Sequence, residues 1–178
     1  DTGDGETLAQ FLAWAITTYP AEQYAISIGS HGAGWKGLSQ DESAGEELGT
    51  HATIISLPEL THAFEITKTI AGVDKFDLMI NDACLMSSVE YHTIISDYFN
   101  LTLASPEITV NPALDMTLFT EILRSGTDTD LTELGSQLVD KYVHEDMFTR
   151  GTTSTEYYAF SLVNLQDYHS VSIEANTM

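Results

Sequence analysis

The sequence predicts an α/β fold built on a mostly parallel sheet, and three observations carry that prediction. Segments with helical spacing alternate with short strand-like runs along the chain. One run, Phe76-Asp77-Leu78-Met79-Ile80, is nearly continuous in apolar residues, the pattern of a strand covered on both faces. The connections are long enough to cross over, so neighbouring strands are expected to run the same way.

Taken in order, Leu8, Phe11, Leu12 and Ala15 fall at helical spacing, and Pro20 closes that helix. Tyr24 to Ser30 reads as a strand ending in small residues. Residues 32–55 read as a Gly- and acid-rich loop with a short strand near Thr53-Ile54-Ile55. Ser56 and Glu59 form a capping box with Pro58 in the first turn. Leu57, Leu60, Phe64, Thr67 and Ala71 then share one helical face, and Gly72 ends it. After the Phe76–Ile80 strand, Ser87 and Glu90 suggest a second capping box, opening a helix to about Phe99. Leu101 to Ser105 reads as a strand. Asp115 begins a helix of Met116, Phe119, Ile122 and Leu123. Asp130 and Glu133 cap another, with Leu131, Leu134, Leu138 and Tyr142. Tyr157 to Val163 is the last strand.

The 178 residues suit one domain with a real core. A content of 43% hydrophobic residues argues for a folded globule. The formal net charge is −21, although only 19% of residues are charged, so the acidity comes from a near absence of bases. Such a chain is no default nucleic-acid binder, because phosphate contacts need clustered Lys and Arg. Its field instead attracts cationic ligands and basic peptides at low ionic strength. The single cysteine excludes a disulfide framework and any multi-cysteine metal site within the chain. No run of 18 apolar residues is present to span a bilayer.

In parallel sheets, ligand sites lie beyond the carboxyl ends of the strands. Two residues fall there, and topology places both on one edge. His31 stands in Ser30-His31-Gly32-Ala33-Gly34-Trp35, where glycines allow close backbone approach. Cys84 stands in Asn81-Asp82-Ala83-Cys84-Leu85-Met86. The bland alternatives are a surface histidine on a turn and a buried, inert thiol. Other chemistries lack their motifs: there is no His-Glu-x-x-His, no Gly-x-Ser-x-Gly, and no phosphate-binding glycine loop. The remaining histidines read as surface or helix-face residues.

His-Gly-Ala-Gly-Trp at 31–35 and Asp-Ala-Cys-Leu-Met at 82–86 resemble the clostripain family of cysteine peptidases. Ser88-Val89-Glu90, the segment Val73 to Leu78, Asp1-Thr2-Gly3-Asp4 with Glu6-Thr7-Leu8, and Leu57-Pro58-Glu59-Leu60 extend the similarity over nearly the whole chain, in order. The resemblance implies a caspase-like three-layer α/β fold and a Cys-His dyad, with His31 as catalytic histidine and Cys84 as nucleophile. It implies an oxyanion hole from the backbone N–H groups of Gly32 and Cys84. It also implies an acidic specificity pocket that accepts Arg or Lys, with Asp82 as the selecting carboxylate; a loop-bracing role is the alternative for that residue. Members often cut themselves between His and Cys, and Lys36 is the only Lys or Arg from position 31 to 67. No cofactor is required for the chemistry. Some members depend on calcium, and Asp41, Glu42, Glu46 and Glu47 offer oxygen ligands, but without EF-hand spacing, so a solvated acidic loop is the plainer reading.

Three departures stand out. Ser30 replaces a common Asp, Asn81 a common Phe, and Pro106 to Pro112 differs from the family's loop while Glu107 keeps one acid. The family's apolar N-terminal strand and its downstream region are not among these residues, so the resemblance reads 1–178 as a peptidase-domain fragment, incomplete at both ends. The expected partners are peptides or proteins with basic residues, and the expected location is secreted or at the cell envelope. A catalytically silent module of the same fold that binds peptides or partners is the rival reading.

Overall fold

The computed structural model describes residues 1–109, 114, 116–125, 130–145, 159–166 and 168. Six strands and six helices are described: α1 Gly5–Thr18, β1 Ala25–Gly29, β2 Leu38–Asp41, α2 Glu42–Glu47, β3 Thr53–Ile55, α3 Leu57–Ala71, β4 Phe76–Asp82, α4 Val89–Ile95, β5 Phe99–Ala104, α5 Met116–Arg124, α6 Leu131–Asp140 and β6 Ser161–Asn164. The main sheet has the order β1-β4-β5-β6. β1, β4 and β5 are parallel, as crossovers through α3 and α4 require. β6 runs antiparallel to β5, which corrects the expectation that all neighbouring strands run the same way.

Local chemistry explains the long helices. The Asp4 carboxylate accepts the Thr7 N–H at 2.7 Å and starts α1. Ser56 and Glu59 form the expected capping box of α3, with Ser56 N–H donating to Glu59 Oε2 at 2.8 Å. Asp130 caps α6 by accepting the Thr132 and Glu133 N–H groups. α5 begins at Met116; Asp115, where the helix was expected to start, lies outside the described residues.

Packing fills both faces of the sheet. On one, Leu12 and Ile16 of α1, Leu60 and Phe64 of α3, and Tyr91 and Ile95 of α4 meet Ile26, Ile28, Met79 and Phe99. On the other, Leu134 and Leu138 of α6 with Tyr142 and Phe160 cover Leu78, Ile80 and Leu103. β4 is therefore buried on both sides, as its apolar run predicts. β1 is buried on one face only: Ile26 and Ile28 point inward, while Ala25, Ser27 and Gly29 are exposed. A cavity of about 400 Å³ lies beside it, lined among others by Leu8, Phe11, Ile28 and Ile55.

Two further expectations are corrected. Residues 32–55 are a structured excursion rather than an open loop, with a short 3₁₀ turn at Gly34–Lys36, the β2–β3 pair and α2. Leu38 and Ile55 pair across it and are both buried, so the core itself organises the segment. The helix expected from Ser87 to Phe99 is shorter. Ser88 is its N-cap, its hydroxyl accepting the Tyr91 N–H at 3.3 Å, and no Ser87–Glu90 box forms. The Ser87 hydroxyl is instead 2.9 Å from that of Ser161 on β6. Phe99 already belongs to β5, where it packs edge-on against Phe64 at 4.9 Å between ring centres. Of the strand expected over 157–163, Tyr157 and Tyr158 lie outside the described residues, and β6 is Ser161–Asn164.

Candidate active site

The parallel register of β1 and β4 puts the two motif residues on one edge. Gly29 is paired with Asp82, and the Ser30 N–H donates to the Asp82 carbonyl at 3.2 Å. His31 and Cys84 each follow their paired residue by two positions, so both leave the sheet side by side. Backbone contact confirms the closeness. A Cβ on Gly32 would overlap the Cys84 carbonyl oxygen and stand 3.0 Å from Ala83 Cβ and 3.1 Å from the Cys84 nitrogen. Only glycine fits there, because backbone rather than a movable side chain fills the space.

The His31 loop is a closed backbone structure. The His31 carbonyl accepts the Ser39 N–H at 3.0 Å, and the Gly37 carbonyl accepts the Ala33 N–H at 2.9 Å. Gly37 adopts φ 126° with its Cα against the Ile55 carbonyl, a position closed to other residues. His31 itself is exposed, as are Trp35 and Lys36. The Lys36 ammonium lies 5.8 Å from the Trp35 ring centre. The neighbouring Gly37 is buried, and its N–H donates to the Gly34 carbonyl at 3.2 Å.

The Cys84 turn is held from its other side by the segment after β5. The Glu107 carbonyl accepts the Leu85 N–H at 3.0 Å, and the Ser105 carbonyl accepts the Ser87 N–H at 2.9 Å. Cys84 is half-buried, and its Sγ lies 3.4 Å from Thr109 Oγ1. Thr109 carried no signal of its own in the sequence, though it lies inside the stretch marked as departing from the family's loop. Glu107 takes part through its carbonyl, while its side chain is exposed.

Beneath the turn, Asn81 is fully buried and donates to Thr102 Oγ1 at 3.1 Å and to the Leu103 carbonyl at 3.3 Å. Its own carbonyl accepts the Tyr91 hydroxyl at 2.6 Å. Burial pushes the Tyr91 phenol up, which keeps it a donor. The Asp82 carboxylate accepts the Leu114 N–H at 3.1 Å, so it braces the chain beyond β5.

Among the described residues, no group of three or more His, Cys, Asp or Glu is arranged to hold a metal. In the acidic stretch, Asp41 caps α2 and accepts the N–H and hydroxyl of Thr2. The Ala44 N–H first, then Thr2, hold its pKa down to about 2. Its carboxylate is thus engaged by protein donors.

A three-layer α/β domain that sets a histidine loop beside a cysteine turn at the carboxyl edge of its sheet has the layout of a caspase-like peptidase domain. The sequence model of the clostripain family, peptidase class C11, matches residues 1–176, and the chain belongs to that family. No curated protein matches the chain. Among solved structures, a secreted C11 cysteine protease from Bacteroides thetaiotaomicron, bound to an irreversible peptide inhibitor, is 18% identical with a TM-score of 0.72; the match covers 98% of this chain and 49% of that one. An inactive zymogen C11 protease from Parabacteroides distasonis is 18% identical at a TM-score of 0.61, over 98% of this chain and 43% of that one. A B. fragilis cysteine protease is 16% identical at a TM-score of 0.52, over 70% and 49%. The chain therefore spans half or less of the length of the solved structures it resembles.

Proposed function

We propose that this chain carries the dyad of a cysteine endopeptidase that cuts after Arg or Lys. The observation that supports it most is the paired exit of His31 and Cys84, sealed by Gly32 lying on the Cys84 backbone. In this reading Cys84 Sγ passes its proton to His31 and attacks the scissile carbonyl carbon. The electron pair moves to the carbonyl oxygen and returns as the C–N bond breaks. His31 gives a proton to the departing amine. Water then splits the thioester, its hydroxyl going to the acyl carbon and its hydrogen restoring the thiol. The chemistry needs no cofactor.

Among the described residues, neither the Gly32 nor the Cys84 N–H meets a hydrogen-bond acceptor. Two free amides on adjoining backbone suit the developing oxyanion. Asp82, at the base of the same edge, is our candidate selector for a basic side chain, and the overall charge of −21 favours approach of such peptides. Self-cleavage, where it occurs in this loop, is assigned to Lys36, whose exposure gives access but whose buried neighbour Gly37 requires the turn to open first. The B. thetaiotaomicron protein is described as secreted, and we place this chain outside the cytoplasm by that likeness.

One experiment tests the set. The full chain is assayed with fluorogenic Arg, Lys and Asp peptides in reducing buffer, and labelled with a thiol-directed peptide probe carrying a basic residue. Labelling confined to Cys84, abolished in Cys84→Ala, is expected. Asp82→Ala is expected to lose the Arg/Lys preference by a larger factor than it loses reactivity with a small alkylating agent. Equal losses assign Asp82 a bracing role alone. Intact mass locates any cut. No labelling at Cys84 in any form favours the silent peptide-binding module.

A further inference from the structure

Thr109 stands 25 positions from Cys84 in the chain, yet its hydroxyl is 3.4 Å from the sulfur. The segment between β5 and Thr109 is built to hold it there. Ser105 is fully buried; its hydroxyl donates to the Glu107 carbonyl at 2.9 Å and accepts the Glu107 N–H at 3.1 Å. The same Glu107 carbonyl accepts the Leu85 N–H, and the Ser105 carbonyl accepts the Ser87 N–H. The turn after Cys84 and the segment carrying Thr109 are thus stitched together at two points, Leu85 and Ser87. Leu85 adopts φ 62° within this clasp. A leucine is held in that left-handed region only by surrounding structure that over-determines it.

We propose that Thr109 is a positioning residue for Cys84, donating a hydrogen bond to its thiolate. This rests on the reading of Cys84 as nucleophile. In the thiol form either atom can donate. Once Sγ has lost its proton, only the Thr109 hydroxyl can. A donor on the charged sulfur favours the thiolate over the thiol and restricts the direction from which Sγ meets a carbonyl carbon. The hydroxyl keeps its proton throughout. The hydrogen bond weakens as the sulfur's charge passes into the new C–S bond, so the contact acts on the thiolate before attack.

The test is the pH profile of Cys84 alkylation by iodoacetamide in the full chain, mapped to the Cys84 peptide, with Cys84→Ala as the blank. Thr109→Val keeps the shape and removes the donor. Its profile is expected to move upward by about 1 pH unit, with alkylation roughly tenfold slower at pH 6. Thr109→Ser is expected to restore the wild-type profile. Thermal midpoints of the three proteins separate this effect from unfolding. An unchanged profile in a folded Thr109→Val, or a Thr109→Ser that behaves like Thr109→Val, overturns the proposal. Wild-type protein whose Cys84 resists both iodoacetamide and the peptide probe overturns the nucleophile reading itself, a distinct result.

Discussion

The two loops that meet at the sheet edge are held by different forces. The His31 loop is secured by backbone against backbone. Its hydrogen bonds join main-chain groups, and Gly32 and Gly37 make the close approaches. The Cys84 turn adds side chains to its two main-chain bonds at Leu85 and Ser87: Ser105, Ser87 and Thr109 around it, Asn81 and Tyr91 beneath it, and Asp82 bracing the chain at Leu114. One non-glycine residue at positive φ stands beside each loop, Ser39 in β2 after the first and Leu85 after Cys84, both at 62°. In each case that residue's N–H is the hook: Ser39 to the His31 carbonyl, Leu85 to the Glu107 carbonyl. Strain of about 1–2 kcal/mol at each position is offset by these anchors. Each loop is therefore vulnerable to a different change. The histidine side tolerates loss of polar groups but no added volume. The cysteine side tolerates small volume changes but not orphaned polar groups.

The largest effect is therefore expected from one methyl group on the histidine side. Gly32→Ala puts a Cβ into the Cys84 carbonyl, where main chain must move. Urea denaturation should show a loss of about 3 kcal/mol. Labelling at Cys84 should fall with it even in the protein that remains folded. Ser87→Ala, on the other loop, removes a little volume and leaves the Ser161 hydroxyl its bond to the Ala104 carbonyl, so it should cost only about 1 kcal/mol. If the two variants destabilise equally, the contrast between the loops is wrong.

An intermediate effect is expected beneath the cysteine. Tyr91→Phe leaves the Asn81 carbonyl oxygen buried without its donor, at a cost of about 1–3 kcal/mol. Asn81→Leu orphans the phenol in turn. The double variant should cost less than the sum of the two, because removing both partners abolishes the unmet demand. Strict additivity in urea denaturation would show that the pair is not coupled, and that the turn rests on packing alone.

Much of this architecture is legible in the sequence where the signal is local. The Ser56–Glu59 box and the Phe76–Ile80 run need only neighbours to be read, and they place α3 and β4. His31 and Cys84 are legible because both follow a strand, and parallel strands must deliver their ends to one edge. What escapes is decided at long range. Leu38-Ser39-Gln40-Asp41 has one apolar residue, too little for a strand signal, and becomes β2 because Leu38 is buried opposite Ile55. The sequence points to Ser87 as the cap, but Ser161, 74 positions away, engages its hydroxyl and Ser88 caps α4 instead. The direction of β6 and the meeting of Thr109 with Cys84 have no local signature at all.

The smallest effect concerns His92, which links the cysteine side to Tyr168. It is buried on α4, its Nε2 is 3.5 Å from the Ser87 hydroxyl, and its ring meets Tyr168 edge-on. Burial lowers its pKa from the ordinary 6.5. The folded protein therefore binds this proton less readily than the unfolded chain. As pH falls below about 6.5, the unfolded state gains protons that the folded state refuses, and stability declines until the lowered folded value is passed. Above that window His92 contributes no slope. Urea midpoints measured from pH 8 to pH 5 should fall on the acid side, and His92→Phe, which keeps an aromatic ring against Tyr168, should flatten the difference. A wild-type curve that stays level through this range would show that His92 takes up its proton without disturbing the turn, and that hydroxyls and Asn81, rather than a neutral imidazole, hold the cysteine side alone.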